Sequence, residues 1–376
     1  MHHPLRPNIL EIDLDAAAAN ARAVRGVVGP DRKIFAVVKA DGYGQGAVEM
    51  GKVFLEHGAD ALAVADISEG IRLRTAGVSA PILVYPSSLS EAASEMVRHN
   101  LVPVLADLAW AQAYAKAATA PLDVFVKIDV GYDRFGIRAE EAANEIIRIL
   151  QLPHLRLAGM CAHGHAHGAD SEYVNWQLGR FTAVVDELES RGIEVPVRLL
   201  ASSPLVMRYP QTYLNAVDPG RMLYGIIYPG ETSPVPLQLT LRSLKTFLIT
   251  VKQLMPRTDF TQYSPFSVER PMLIGVIPIG SADGLGWLHD GRVLVRGKTA
   301  PIIGKPSLES CRVDLTKIPN ANVGDEVVII GRQRNDEITL AEIAERHKLA
   351  MNLIPTTIGP RVVRVYRSKS LKPSQE

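Results

Sequence analysis

From Ile9 to Pro204 the chain repeats one pattern, a short apolar run followed by an interval of helical periodicity. The runs are ILEID at Ile9, FAVV at Phe35, ALAVAD at Ala61, PILVYP at Pro81, LVPVLAD at Leu101, LDVFVKID at Leu122, LRLAGMC at Leu155 and VPVRLLASSP at Val195. The first passes straight into the Ala-rich DAAAANARAVR, and EEAANEIIRIL from Glu140 to Leu150 carries spaced Ala, Ile and Leu with charges opposite. Such alternation means parallel strands with helices outside, and this many units favour closure into a barrel. The fold expected is α/β, a parallel (β/α)8 barrel, over residues 12–232.

Near Pro229 the texture changes. PGETSPVPLQ reads as a turn-rich linker, with a boundary between 228 and 236. Beyond it LQLTLRSLKTFLITVKQL, RPMLIGVIPIG, GRVLVRGKTAPIIG, CRVDLT and DEVVIIG follow one another without long helices between them. That is an antiparallel β domain over 233–376, joined by the strand in 1–11, with one helix at TLAEIAERHK.

Composition narrows the function. With 41 basic and 40 acidic residues the net charge is +1, and no basic block offers a footprint for nucleic acid. The two cysteines, Cys161 and Cys311, are too few for a disulfide framework or a cysteine-rich metal site. MHHPLRPN lacks the layout of a signal peptide, and no apolar run approaches a membrane span, so a cytoplasmic location is expected.

The stretch FAVVKADGYGQG delivers Lys39 from a strand into a loop holding Gly42, Gly44 and Gly46. A lysine at the carboxyl end of a barrel strand, partly desolvated, loses its proton readily and can form a Schiff base. Spacing alone supports a surface lysine equally well.

VVKADGYGQG, KIDVGYDRFGI and VDPGRMLYG, followed in order by IPIGSADG, GKTAPIIG and VGDEVVIIGRQ, resemble the alanine racemase family over nearly the whole chain. The resemblance implies pyridoxal 5'-phosphate (PLP) as cofactor, Lys39 as its Schiff-base lysine, and a homodimer with shared active sites. It puts Tyr43, Ser203 and the backbone of Gly220 and Arg221 around the phosphate, His163 against the cofactor ring and Arg134 on the substrate carboxylate, buttressed by Lys127. Asn352 aligns with a phosphate-binding tyrosine, which puts that contact in doubt.

Two departures bear on the reaction. Ser281 stands where the family places a tyrosine that acts as second acid/base across the dimer, and a serine hydroxyl is a much poorer acid. Asp218 stands where the family has an arginine facing the pyridine nitrogen, and an aspartate favours the protonated ring instead. The segment SLES, with Leu308 and Glu309, replaces a family CMDQ at the substrate mouth. Taken together, these imply one-base aldolase or transaldolase chemistry at Cα of a small D- or α-substituted amino acid, with an aldehyde co-substrate. Lys39 would be the base, Ser281 would open the pocket, and His163 or His165 would deprotonate a β-hydroxyl. The alternatives are an amino-acid racemase of alanine type, with a histidine, Tyr263 or water taking the second proton, and a non-catalytic PLP-binding protein. HGHAH, with His163, His165 and His167, invites a metal, but no carboxylate or cysteine cluster joins it, so none is expected.

Overall fold

The computed structural model describes residues 7–166, 171–256 and 266–369. The chain divides into two compact units: Met1–Asp15 with Tyr43–Gln45 and Leu239–Glu376, and Ala16–Gly42 with Gly46–Gln238. The opening MHHPLR, His167 and Tyr263 lie outside the described residues.

Strand β1 (Ile9–Asp13) belongs to the first unit and is taken up below. The second unit is the barrel. Its strands are β2 (Lys33–Val37), β3 (Ala61–Val64), β4 (Ile82–Val84), β5 (Val102–Leu105), β6 (Leu122–Asp129), β8 (Leu155–Cys161), β9 (Arg198–Ser202) and β10 (Ala216–Asp218), with a short β7 (Ile137–Arg138) beside β6. The order β5-β4-β3-β2-β10-β9-β8-β6 is closed by a β5–β6 pairing, and every pairing is parallel. The expected (β/α)8 barrel is therefore present. Its eighth strand, Ala216–Asp218, is the one the apolar pattern did not announce, because three residues are too few to show a period.

Helices cover the barrel for the reason their spacing predicts. In Ala139–Leu150 the residues Ala142, Ala143, Ile146 and Ile149 are buried, the i, i+3, i+4 stripe of an amphipathic helix. Inside, Phe35 and Phe125 meet edge to face at 5.7 Å, and Phe54 meets Tyr224 the same way at 5.4 Å. Such pairs hold aromatic rings in one orientation and add about 0.5–1.5 kcal/mol beyond area burial.

The first unit is a mostly antiparallel sheet. Its strands are β1, β11 (Leu241–Phe247), β12 (Thr250–Leu254), β13 (Met272–Ile277), β14 (Arg292–Val295), β15 (Lys298–Ile303), β16 (Cys311–Asp314), β17 (Glu326–Gln333), β18 (Asp336–Ile338) and β19 (Val363–Arg367). The order is β12-β13-β16-β15-β14-β17-β11-β1-β19, with β18 on β17, and only β1–β19 is parallel. The sequence run LQLTLRSLKTFLITVKQL is two strands, β11 and β12, which pair with different neighbours, β17 and β13. TLAEIAERHK is helical from Leu340 to His347, capped by the Thr339 hydroxyl, which accepts from Glu342 N at 3.0 Å.

Among the described residues no helix is long and apolar enough to cross a membrane.

Candidate active site

The carboxyl ends of the barrel strands gather the chemistry. Lys39 follows β2, but the chain after it is not a plain loop. Ala40, Asp41 and Tyr43 join Gly42 at φ of 53°, 53°, 52° and 61°, a left-handed turn built mostly from residues that carry a Cβ. Each such residue costs roughly 1–2 kcal/mol, so the turn persists only because its surroundings over-determine it. Gly42 N donates to Val38 O at 2.8 Å, Asp41 N to Glu69 Oε1 at 2.8 Å, and Gly46 N to Asp41 O at 2.8 Å. The Asp41 carboxylate accepts from Ala47 N at 3.1 Å and lies 3.0 Å from the Arg72 guanidinium.

Burial pushes the Lys39 amine below its ordinary pKa; the charge of Asp218 opposes this, and Arg134 and Lys127 add to it. A lysine so placed reaches its neutral, nucleophilic form more readily than one in water.

Asp218 closes β10 and is only 7% exposed. Its Oδ2 accepts a hydrogen bond from the Tyr85 hydroxyl at 2.5 Å, while its buried Oδ1 has no hydrogen-bond partner among the described residues. Burial raises its pKa to about 6, against the Tyr85 hydrogen bond and the charges of Lys127 and Lys39. Asp218 thus points inward, its side chain buried and bonded across the barrel mouth.

Ser203 and the loop after β10 form a second cluster. The Ser203 hydroxyl is buried and accepts from Gly220 N at 2.8 Å and Met222 N at 3.2 Å. The Arg221 side chain turns elsewhere, paired with Glu231 at 2.6 Å and lying over the Tyr228 ring. Any ligand contact from Arg221 therefore falls to its backbone, as the resemblance implies.

The loop carrying Arg134 is organised by Asp129, whose Oδ1 accepts from the backbone N of Gly131, Tyr132 and Asp133 at 2.9–3.2 Å. Arg134 is exposed, with its guanidinium 4.7 Å from the Tyr132 ring centre. Tyr132 meets His163 edge to face at 4.7 Å and His165 at 5.4 Å. His163 is pushed down to about 3 by burial and by Lys127, Arg134 and Lys39, so at neutral pH it is an uncharged ring. His165 is held through its backbone, which exchanges hydrogen bonds with the Gln177 amide at 3.0 and 2.7 Å. Lys127 on β6 is buried, its amine 5.7 Å from the Tyr85 ring centre.

The β-rich unit holds the other expected residues. Ser281 opens a 3₁₀ turn, Ser281–Asp283, and is tied to Ser307, its backbone N donating to Ser307 O at 2.9 Å. Ala282 N donates to Leu308 O at 2.8 Å, so Ser281, Leu308 and Glu309 form one exposed cluster. Asn352 precedes the short helix Leu353–Thr357. Tyr43 belongs to the same unit, in a segment whose Gly44 carbonyl accepts from Arg364 at 3.1 Å. A Cβ on Gly44 would sit 2.0 Å from Pro355 O, so only glycine fits there.

The barrel cluster fits PLP. Lys39 supplies an amine, the Ser203 hydroxyl and the Gly220 and Met222 amides gather at a strand end where barrels commonly take a phosphate, and the orphaned Asp218 Oδ1 is a buried acceptor that a protonated ring nitrogen would satisfy. Among the described residues no group of three or more His, Cys, Asp or Glu side chains is arranged to hold a metal ion.

Comparison with known proteins decides the family. The family described as alanine racemase, N-terminal domain, matches residues 12–228, and alanine racemase, C-terminal domain, matches 241–366. The chain is 33% identical to an alanine racemase of Methanococcus maripaludis, covering 95% of this chain and 97% of that one. It is 37% identical to an alanine racemase of Desulforamulus reducens, over 95% and 98%. Among solved structures, alanine racemase from Bacillus anthracis with bound L-Ala-P superposes with a TM-score of 0.90 at 29% identity, over 97% and 96%. The chain belongs to the alanine racemase family.

This membership corrects the reaction inferred from Ser281 and Asp218. Relatives covering nearly the whole chain are alanine racemases, isomerases and not carbon–carbon lyases, so neither aldolase chemistry nor an aldehyde co-substrate stands. The physical flaw lay in treating one missing phenol as the loss of a second acid without counting the other ionisable side chains at the barrel's strand ends. Two of them, Tyr85 and Tyr132, escaped the reading of the sequence. Tyr85 had a signal, since it follows β4 as Lys39 follows β2, at the end of a barrel strand. Tyr132 sat within the quoted motif GYDRFG, where attention went to the arginine.

Proposed function

We propose that the protein is a PLP-dependent amino-acid racemase acting on alanine or a similarly small amino acid. The observation that carries this reading is the half-buried Lys39 amine, its pKa lowered by desolvation, in a barrel site of a chain whose full-length relatives are alanine racemases. When bound, the cofactor supplies an electron sink that makes the Cα proton of an attached amino acid acidic. Lys39 holds the cofactor and exchanges the proton on one face, Arg134 binds the substrate carboxylate, and Ser203 with the Gly220 and Arg221 backbone receives the phosphate.

His163, pushed down to about 3, lacks a proton to give at neutral pH, so it serves as a packing surface and not as the second acid. Asp218 would stand where the resemblance assigns an arginine to the ring nitrogen, and as an acceptor it would favour that nitrogen's protonated form. A homodimer, the family's assembly, would bring Ser281, Leu308 and Glu309 of the β-rich unit to the partner's site.

The test is incubation of the PLP-loaded protein with L-alanine and, separately, with D-alanine in D2O. Convergence of both on a racemic mixture with deuterium at Cα supports the reading. Retention of configuration in both, under conditions where borohydride traps PLP on Lys39, refutes it. Light scattering at micromolar concentration checks the dimer.

A further inference from the structure

We propose that Tyr85 is a positioning residue for the carboxylate that meets the cofactor ring: its hydroxyl holds Asp218 Oδ2 and leaves Oδ1 as an ionised acceptor for a protonated ring nitrogen. This rests on the reading of the chain as a PLP enzyme.

The geometry is specific. Tyr85 follows β4 and Asp218 ends β10, two strands separated in the barrel by β3 and β2, so the 2.5 Å bond spans part of the barrel mouth. Tyr85 is fixed from its backbone, with its N donating to Val64 O at 2.9 Å. Pro86 restricts it further, since the residue before a proline is held extended. The backbone that carries the phenol is thus fixed, and the face of its ring carries the Lys127 amine at 5.7 Å.

The chemistry explains why the hydroxyl matters. Asp218 is buried, and the ionisable groups facing it are Tyr85 beyond β4, Lys127 on β6, Lys39 beyond β2 and Cys161 at the end of β8. Tyr85 is the one that donates a hydrogen bond directly to the carboxylate. A buried carboxylate without that donor prefers to keep its proton. One proton shared between the ring nitrogen and the carboxyl then rests on the carboxyl, and a neutral acid donates to the nitrogen instead of accepting from it. The ring loses its positive charge and with it much of its capacity as an electron sink. Tyr85 tips that proton toward the nitrogen. It does so without touching the substrate, which is why it is a positioning residue.

The experiment loads wild type, Tyr85→Phe and Asp218→Asn with 15N-labelled PLP and follows the ring nitrogen by NMR against pH. Wild type is expected to show a protonated nitrogen through neutral pH. In Tyr85→Phe the midpoint falls by about one pH unit, the scale of one hydrogen bond to a charged group. In Asp218→Asn the nitrogen is unprotonated throughout. Borohydride reduction and mass analysis establish that all three carry PLP on Lys39. A Tyr85→Phe nitrogen identical to wild type at every pH overturns the role of Tyr85, and so does a lowered melting temperature with an unmoved nitrogen, which marks a purely structural hydroxyl. An unprotonated nitrogen in wild type overturns it as well, while leaving the cofactor reading intact. Failure of wild type to trap PLP on Lys39 overturns both.

Discussion

Two clusters of charge in this protein are built on opposite terms. Around Glu11 in the β-rich unit every group is matched. The carboxylate accepts from Ser243 at 2.6 Å and pairs with Lys245 at 3.0 Å and Arg367 at 3.1 Å. Burial alone would raise its pKa, but the Ser243 and Lys245 hydrogen bonds and the Lys245 charge bring it down to about 2. At the barrel mouth Asp218 is driven up to about 6 and His163 down to about 3, the Lys39 amine is lowered, and one Asp218 oxygen is orphaned. The Glu11 cluster holds strands β1, β11 and β19 in register. In the barrel cluster burial works against the charged form of each group, the pattern expected of a functional site.

That contrast predicts opposite outcomes for substitutions in the two places. The largest effect belongs to Lys39→Ala, which removes the base and the cofactor's attachment; racemisation is expected to fall by roughly 10³-fold or more, read from the decay of optical rotation of L-alanine. The variant should fold as well as wild type, and a variant that fails to fold would mean that Lys39 is structural, against the contrast.

Glu11→Gln comes next. Folded Glu11 titrates below its unfolded value, so its contribution is full above about 4.5 and fades as pH falls toward 2. The substitution is expected to cost about 2–3 kcal/mol at pH 7, with the difference in urea midpoint shrinking as pH is lowered beneath 4.5.

Asp218→Asn should do the reverse. Folded Asp218 holds its proton more tightly than unfolded, from 3.8 to about 6, so the protein loses stability as pH rises through that interval. The asparagine variant of the cofactor-free protein is expected to be more stable at pH 8 by no more than about 3 kcal/mol, and equal to wild type below pH 4. Denaturant titrations at both pH values check this, and a destabilised variant at pH 8 would erase the distinction between the clusters.

The smallest effect sharpens the same idea at the backbone. Ala40→Gly relieves one left-handed residue and should raise stability by roughly 1 kcal/mol, seen as a small upward shift in melting temperature. A loss would mean that the turn is not strained.

Much of this architecture is written along the chain. Strand runs such as LDVFVKID and the stripe of Ala139–Leu150 announce a barrel because a 3.6-residue period and an apolar run are local properties that tertiary contacts reinforce. Lys39 was singled out by the same logic, as the residue leaving an apolar strand, and Ser203, Arg134 and Asp218 came from motifs that resemble a family. What the residues alone misjudged was the reaction, because Ser281 and Asp218 were weighed as isolated changes and the phenols beside Asp218 and His163, Tyr85 and Tyr132, were not counted.

The sequence by itself determined the barrel, the β-rich unit and the family, since periodicity and motif order survive without knowledge of any contact. Only the tertiary structure decided that Ala40, Asp41 and Tyr43 turn left-handed, that Asp218 is buried with one oxygen orphaned, and that Tyr85 grips the other. Tyr85 and Asp218 are 133 positions apart, and no local pattern links them. Barrel closure puts their strand ends within hydrogen-bond reach, and burial there makes a bond worth little in water into one that sets where a proton resides.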